Sequence, residues 1–139
     1  MKIIVILILF SSAILYSQTE QSKCKRMRDS LEALYSSEYD SQPMPTVIGS
    51  MDSLVQNLKY PPEAKKNKIE GKVLVQVIID TTGIPMCPKV ISKKLGFNCE
   101  AEAIKFVMGL RYTPVTVLHK KYFAEIVVPV LFSLKHRAK

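Results

Sequence analysis

The chain has 139 residues, of which 47% are hydrophobic and 23% charged. That is too apolar for a disordered chain and too short for two separate cores, so one domain behind a leader is expected. The formal charge of +8, from 20 basic and 12 acidic residues, fits nucleic acid, an anionic surface or simple solubility, and the chain's destination decides among these.

Residues 3–16 carry no charge and follow a single Lys2. The run is shorter than the ~20 residues of a spanning helix and has the make-up of a signal-peptide apolar region. Ser17 before Gln18 supplies a small residue for cleavage, so residues 1–17 read as an export signal, with an uncleaved short anchor as the alternative. Mass spectrometry of the exported chain is expected to find Gln18 at its start; an intact Met1 in membranes would establish the anchor. Export removes nucleic acid from the expected partners. Lys65-Lys66, Lys93-Lys94, Lys120-Lys121 and the basic tail at 136–139 then form a solvated surface with a salt-screened attraction to anionic envelope surfaces.

Residues 18–42 are polar, but Met27, Leu31, Leu34 and Tyr35 recur at helical spacing, with Arg26, Arg28, Asp29 and Glu32 off that face. Gln42-Pro43-Met44-Pro45 breaks the pattern and marks the start of a domain over 43–135. Ser50 is a natural N-cap for a short helix whose apolar face is Met51, Leu54, Val55 and Leu58. Tyr60-Pro61-Pro62 ends it and starts another, with Glu63 in the first turn and Lys65, Lys66 and Lys68 near the end, as the helix dipole favours.

From Gly71 the period changes to two. Val73, Val75, Val77 and Ile79 alternate with Lys72, Leu74, Gln76 and Ile78. Asp80-Thr81-Thr82-Gly83 is a turn, and a second strand to about Lys93 carries Pro85 and Pro88, which confine it to an edge. Asn98 is the expected cap of the next helix, whose apolar face centres on Ala103 and Val107 and includes Cys99, Ile104, Phe106 and Leu110. Phe123 to Leu134 alternates again, and Pro129 makes this strand an edge too. The expected fold is α+β: a two-layer domain with a three-stranded antiparallel sheet, the Gly71 strand central, and two helices packed on one face.

These pieces, in this order, resemble the TonB C-terminal domain family. The resemblance rests on Met44-Pro45 before Gly49, Leu58-Lys59-Tyr60-Pro61 with Ala64, and Ile69-Glu70-Gly71-Lys72-Val73 with the Gly83 turn. It continues with Cys99-Glu100 through Glu102-Ala103, Arg111-Tyr112 with Pro114, and Val127-Val128-Pro129-Val130-Leu131-Phe132. It implies a periplasmic binding domain in energy-coupled transport, for example of iron chelates. There a receptor's short segment, the TonB box, pairs with the last strand at Ile126, Val127, Val128, Pro129, Val130, Leu131 and Phe132, near Tyr60. It also implies inner-membrane motor proteins as further partners. Family transducers carry an anchor and a long Pro-rich spacer, whereas residues 18–42 would extend to about 80 Å at most. The alternative is therefore a stand-alone periplasmic adaptor, or a homodimer, that keeps the fold without the motor.

No enzyme is expected. His119 and His136 have no motif around them, no G-x-S-x-G or phosphate loop occurs, and Glu100 and Glu102 are two apart on a helix and do not face each other. No cofactor is implied. Cys24, Cys87 and Cys99 lack metal-ligand spacing, and an odd count leaves at least one thiol free or paired between chains.

One further expectation concerns the sheet face turned away from the helices, where Leu74, Ile78, Val127 and Leu131 are apolar. Burying four such side chains would contribute several kcal/mol, at ~1.5–3 each, so a cover is expected, and the Met27–Tyr35 helix is the nearest candidate. Deleting residues 18–42 should then lower stability and cause self-association. An equally stable, monomeric truncation by light scattering would make that helix a solvated spacer.

Overall fold

The computed structural model describes residues 17–32, 43–50 and 54–134. The expected signal segment, apart from Ser17, and the basic tail lie outside these residues. The chain divides into two compact units, one ending at Asp40 and one beginning at Ser41. In the first unit, residues 17–32 form helix α1. Its less exposed residues are Cys24, Met27, Arg28 and Leu31, a single face at i, i+3, i+4 and i+7. Arg28, expected on the polar side, lies on this face; Leu34 and Tyr35 lie outside the described residues. Among the described residues no helix is long and apolar enough to cross a membrane.

The second unit is built on strands β1 (Gly71–Ile79), β2 (Pro85–Val90) and β5 (Ala124–Phe132), in the order β2-β1-β5, all antiparallel. The expected α+β sheet with the Gly71 strand at its centre is what forms. Helix α2 (Pro62–Lys66) and helix α3 (Cys99–Gly109) contribute Ala64, Cys99, Ala103 and Val107 to one core with Val73, Val75, Val77, Ile79, Val130 and Phe132. Every second residue of β1 from Val73 to Ile79 is fully buried, as the period-two pattern requires. The β1–β5 register sets Val75 opposite Val128 and Val73 opposite Val130, so both strands turn the same valine-rich face to the helices.

Three local details depart from the sequence-based expectation. Asn98 precedes α3 in a left-handed conformation and makes no side-chain cap bond. Glu100 instead accepts hydrogen bonds from the Leu95 and Gly96 amides, the latter at 3.1 Å, and so ties the incoming loop to the helix start. Val115–Val117 and Lys120–Tyr122, in a stretch to which the sequence assigns no element, form a separate hairpin, β3–β4, around Leu118-His119. On the outer sheet face Ile78 is fully buried and Leu74 half-buried, whereas Val127 and Leu131 are 46% and 53% exposed, so the four apolar residues are not buried alike.

Two carboxylates hold loops by accepting backbone hydrogen bonds. Asp80 Oδ1 accepts from the Thr82 amide (2.8 Å), the Thr82 hydroxyl (2.6 Å) and the Ile84 amide (2.9 Å). Desolvation opposes the charge of both Asp80 and Glu100, but the bonds from Thr82 and Ile84 to the first, and from Leu95 and Gly96 to the second, hold each carboxyl below its ordinary range. A carboxyl depressed on folding stabilises the native state above its unfolded pKa, and that stability is lost as pH falls through the folded value. Urea stability is therefore expected to be flat between about pH 5 and pH 8 and to decline below that window into the acid range. Asp80→Ala should shallow that decline; an unchanged slope would show that the turn bonds do not depend on ionisation.

Candidate functional site

The outer edge of β5 is the surface where the family resemblance expects a partner. Among the described residues, β1 is the one strand paired with β5. Which main-chain groups face outward follows from β1. Leu74 donates its amide to Ser92 Oγ (3.2 Å) and accepts the Ile91 amide at its carbonyl (3.0 Å), both on the β2 side. Its main-chain groups therefore point away from β5, and Leu74–Pro129 is a non-hydrogen-bonded pair of the antiparallel ladder. Pro129 accordingly turns its backbone to the open edge, where its missing N–H breaks no bond to β1.

The alternation assigns the rest. Val127 and Leu131, like Pro129, direct their backbone groups outward, whereas Ile126, Val128, Val130 and Phe132 direct theirs toward β1. Their side chains separate the same way by face: Val128, Val130 and Phe132 are buried and Ile126 partly so, while Val127, Pro129 and Leu131 are exposed. The site thus consists of the amides and carbonyls of Val127 and Leu131 and the carbonyl of Pro129. An added strand would meet two donors and three acceptors there, with a gap in the donors at its middle.

The end of this edge is fixed from below. Tyr60, expected beside the partner, is 8% exposed, and its ring meets Phe132 edge-on with centroids 5.4 Å apart and planes at 83°. Its hydroxyl donates to the Ile69 carbonyl. Tyr60 therefore sits beneath the strand and orients Phe132. Glu70 holds the same end, accepting the Leu134 amide (2.6 Å) and the Ser133 hydroxyl (3.3 Å). In the sequence Glu70 stands out only as part of a Glu-Gly-Lys string; its role appears once β5 lies alongside β1.

Among the described residues no group of His, Cys, Asp and Glu could hold a metal ion. Cys99 is a free thiol at 0% exposure, and burial, with the Glu100 charge beside it, pushes its pKa up, away from the reactive thiolate. A shallow cleft of about 240 Å³ between residues 54–59 and α3 is lined by Lys105, Glu102 and Phe106 among others. That is below the ~300–1,000 Å³ usual for small-molecule sites.

No curated protein and no solved structure matches the chain significantly. Residues 56–134 match the family described as Gram-negative bacterial TonB protein C-terminal, a span that takes in α2, α3 and the whole sheet through β5. The family is a protein-interaction domain of energy-coupled transport. With more than half its length matched and an α+β sheet of the expected order, the chain belongs to the TonB C-terminal domain family.

Proposed function

We propose that this is a periplasmic binding domain that captures an extended segment of a TonB-dependent outer-membrane receptor, the TonB box, by strand addition at β5. The observation that carries this reading is the open edge of β5, with the backbone of Val127, Pro129 and Leu131 turned outward. An edge of this kind is a template for an extended chain, and each backbone bond contributes a net ~1 kcal/mol. The half-exposed Val127 and Leu131 side chains flank the added strand and give it an apolar surface to cover. Tyr60 and Glu70 act through Phe132 and Leu134, keeping the edge straight so that all three outward positions are in register with the ligand.

A photo-crosslinking residue at Val127 and at Leu131, in the full chain in native envelopes, tests this. Crosslinks to outer-membrane β-barrel receptors are expected from both positions and none from Lys66 on α2. Crosslinks only to a second copy of the chain would support the stand-alone dimer. Coupling to inner-membrane motor proteins requires an uncleaved anchor, so an N-terminus at Gln18 would favour the adaptor.

A further inference from the structure

The β3–β4 hairpin takes no part in the receptor edge, and its construction is unusual. Val117 pairs with Lys120, which leaves a two-residue loop of Leu118 and His119, with φ of +48° and +65°. Two positive φ values mark a type I′ hairpin turn, where Asn-Gly is the usual occupant because side chains are disfavoured there. Leucine gains nothing conformationally at such a position. This leucine is also 90% exposed, the largest exposure of any large hydrophobic residue among those described. A bulky apolar side chain thus sits at a strained tip and faces water, which costs both backbone and hydration free energy.

The surroundings indicate what would offset that cost. Lys120 and Lys121 follow directly and are exposed, on opposite faces of the ribbon by the register. Tyr122 and Phe123, 45% and 39% exposed, come next in the chain. No acidic residue occurs between Glu102 and Glu125, and the chain carries +8 overall. An apolar tip with cations beside it and aromatic rings close behind matches acyl chains overlaid by an interface of anionic headgroups. A convex tip also needs no matching cavity in a fluid surface.

We propose that the β3–β4 hairpin is a membrane-surface anchor, inserting Leu118 among the acyl chains of an anionic lipid surface with Lys120 and Lys121 on the headgroups. Because β4 leads through Phe123 into β5, the contact would hold the receptor-binding edge close to the membrane face. The anchor does not depend on the receptor reading; it uses none of the residues of the edge.

The sequence has no tryptophan, so Leu118→Trp in the full chain places a single reporter at the tip. Its emission is expected to shift to the blue on adding phosphatidylethanolamine–phosphatidylglycerol vesicles. It should stay solvent-like with phosphatidylcholine alone and in 1 M salt, where the Debye length is ~3 Å. Lys120→Glu with Lys121→Glu in the same background should abolish the shift. Ile91→Trp, on the opposite edge, should not respond, which separates hairpin insertion from any binding by the N-terminal apolar run. Leu118→Asn suits the left-handed position, so it should keep or raise the melting temperature while weakening vesicle binding by about tenfold. Indole emission from the Leu118→Trp chain that does not change on anionic vesicles would overturn the proposal. So would a shift seen only with detergent-solubilised envelope protein, which would make the tip a protein-docking element.

Discussion

Val128→Pro should unfold the domain or lower its stability by about 3 kcal/mol or more, whereas Pro129→Val should leave stability within about 0.5 kcal/mol. The two positions are neighbours, and edge location alone would treat them alike. The register distinguishes them. Val128 lies opposite Val75 with its amide in the β1 ladder, and its side chain is 8% exposed in the core. Proline there removes a ladder bond and a packed side chain together. Pro129 points its nitrogen to solvent, so restoring an N–H at that position adds a donor where the ladder does not need one. On the strand-addition reading, that new donor fills the gap in the middle of the edge. Pro129→Val is then expected to tighten the receptor segment about fivefold, the equivalent of one net backbone bond of ~1 kcal/mol. Urea denaturation and crosslinking yield in envelopes measure the two effects separately. Greater self-association of Pro129→Val would fit as well, since proline at an edge also discourages strand pairing between copies. A stable Val128→Pro would show that the register, and with it the assignment of outward groups, is wrong.

What the sequence reveals, and what it does not, follows from the range of the interactions involved. The alternation in β1, the edge character of β2 and β5, and the apolar face of α3 are local patterns, legible because burial imposes a period on each element. Ala103 and Val107, the centre of that face in projection, are both fully buried. The β3–β4 hairpin escapes such reading because its strands have three residues each and its turn holds Leu-His in place of Asn-Gly. The Asn98 cap fails for a different reason. Asn tolerates the left-handed conformation as readily as it caps, and Glu100 two residues later takes over the loop amides.

The candidate site is legible in the sequence as a strand but not as a surface. Alternation shows which side chains are inside, and it cannot show which backbone groups face outward. That depends on the Leu74 bonds to Ser92 and Ile91, between residues far apart in the chain. Tyr60 illustrates the same limit. Its motif points to the neighbourhood of the last strand, and the structure places it there, buried under Phe132. Four apolar residues on the outer face of the sheet suggest a need for cover throughout. Val127 and Leu131 are half-exposed, and a receptor strand beside them would account for their chemistry without the leader helix.

Gly83→Ala is expected to be the most damaging small substitution in the turn regions, at roughly 3 kcal/mol, or a fall of about 15 °C in melting temperature for a domain of this size. Two effects coincide there. Gly83 has φ of +86°, which L-residues rarely adopt, and a Cβ on it would stand 2.0 Å from the backbone oxygen of Tyr112. That oxygen is not at the end of a flexible side chain. The Tyr112 amide donates to the Gly83 carbonyl (3.0 Å), and Tyr112 also forms a bridge with Val47. Its neighbours are fixed as well, through Ile48 to Arg111 (2.8 Å) and Thr113 to Thr46 (2.8 Å). The ring is 1% exposed, with its hydroxyl on the Val107 carbonyl (3.3 Å), and burial pushes its pKa up to about 12. The β1–β2 turn, the segment 46–48 and the end of α3 thus meet at one residue, and a methyl group on Gly83 must displace it. Gly96→Ala is the control, since Gly96 also has positive φ, +77°, but open space where the Cβ would go. It should cost only the conformational part, about 1 kcal/mol. If the two variants prove equally stable in urea, the Tyr112 junction can shift without loss. The close approach of the turn to residue 112 would then have no part in holding the domain together.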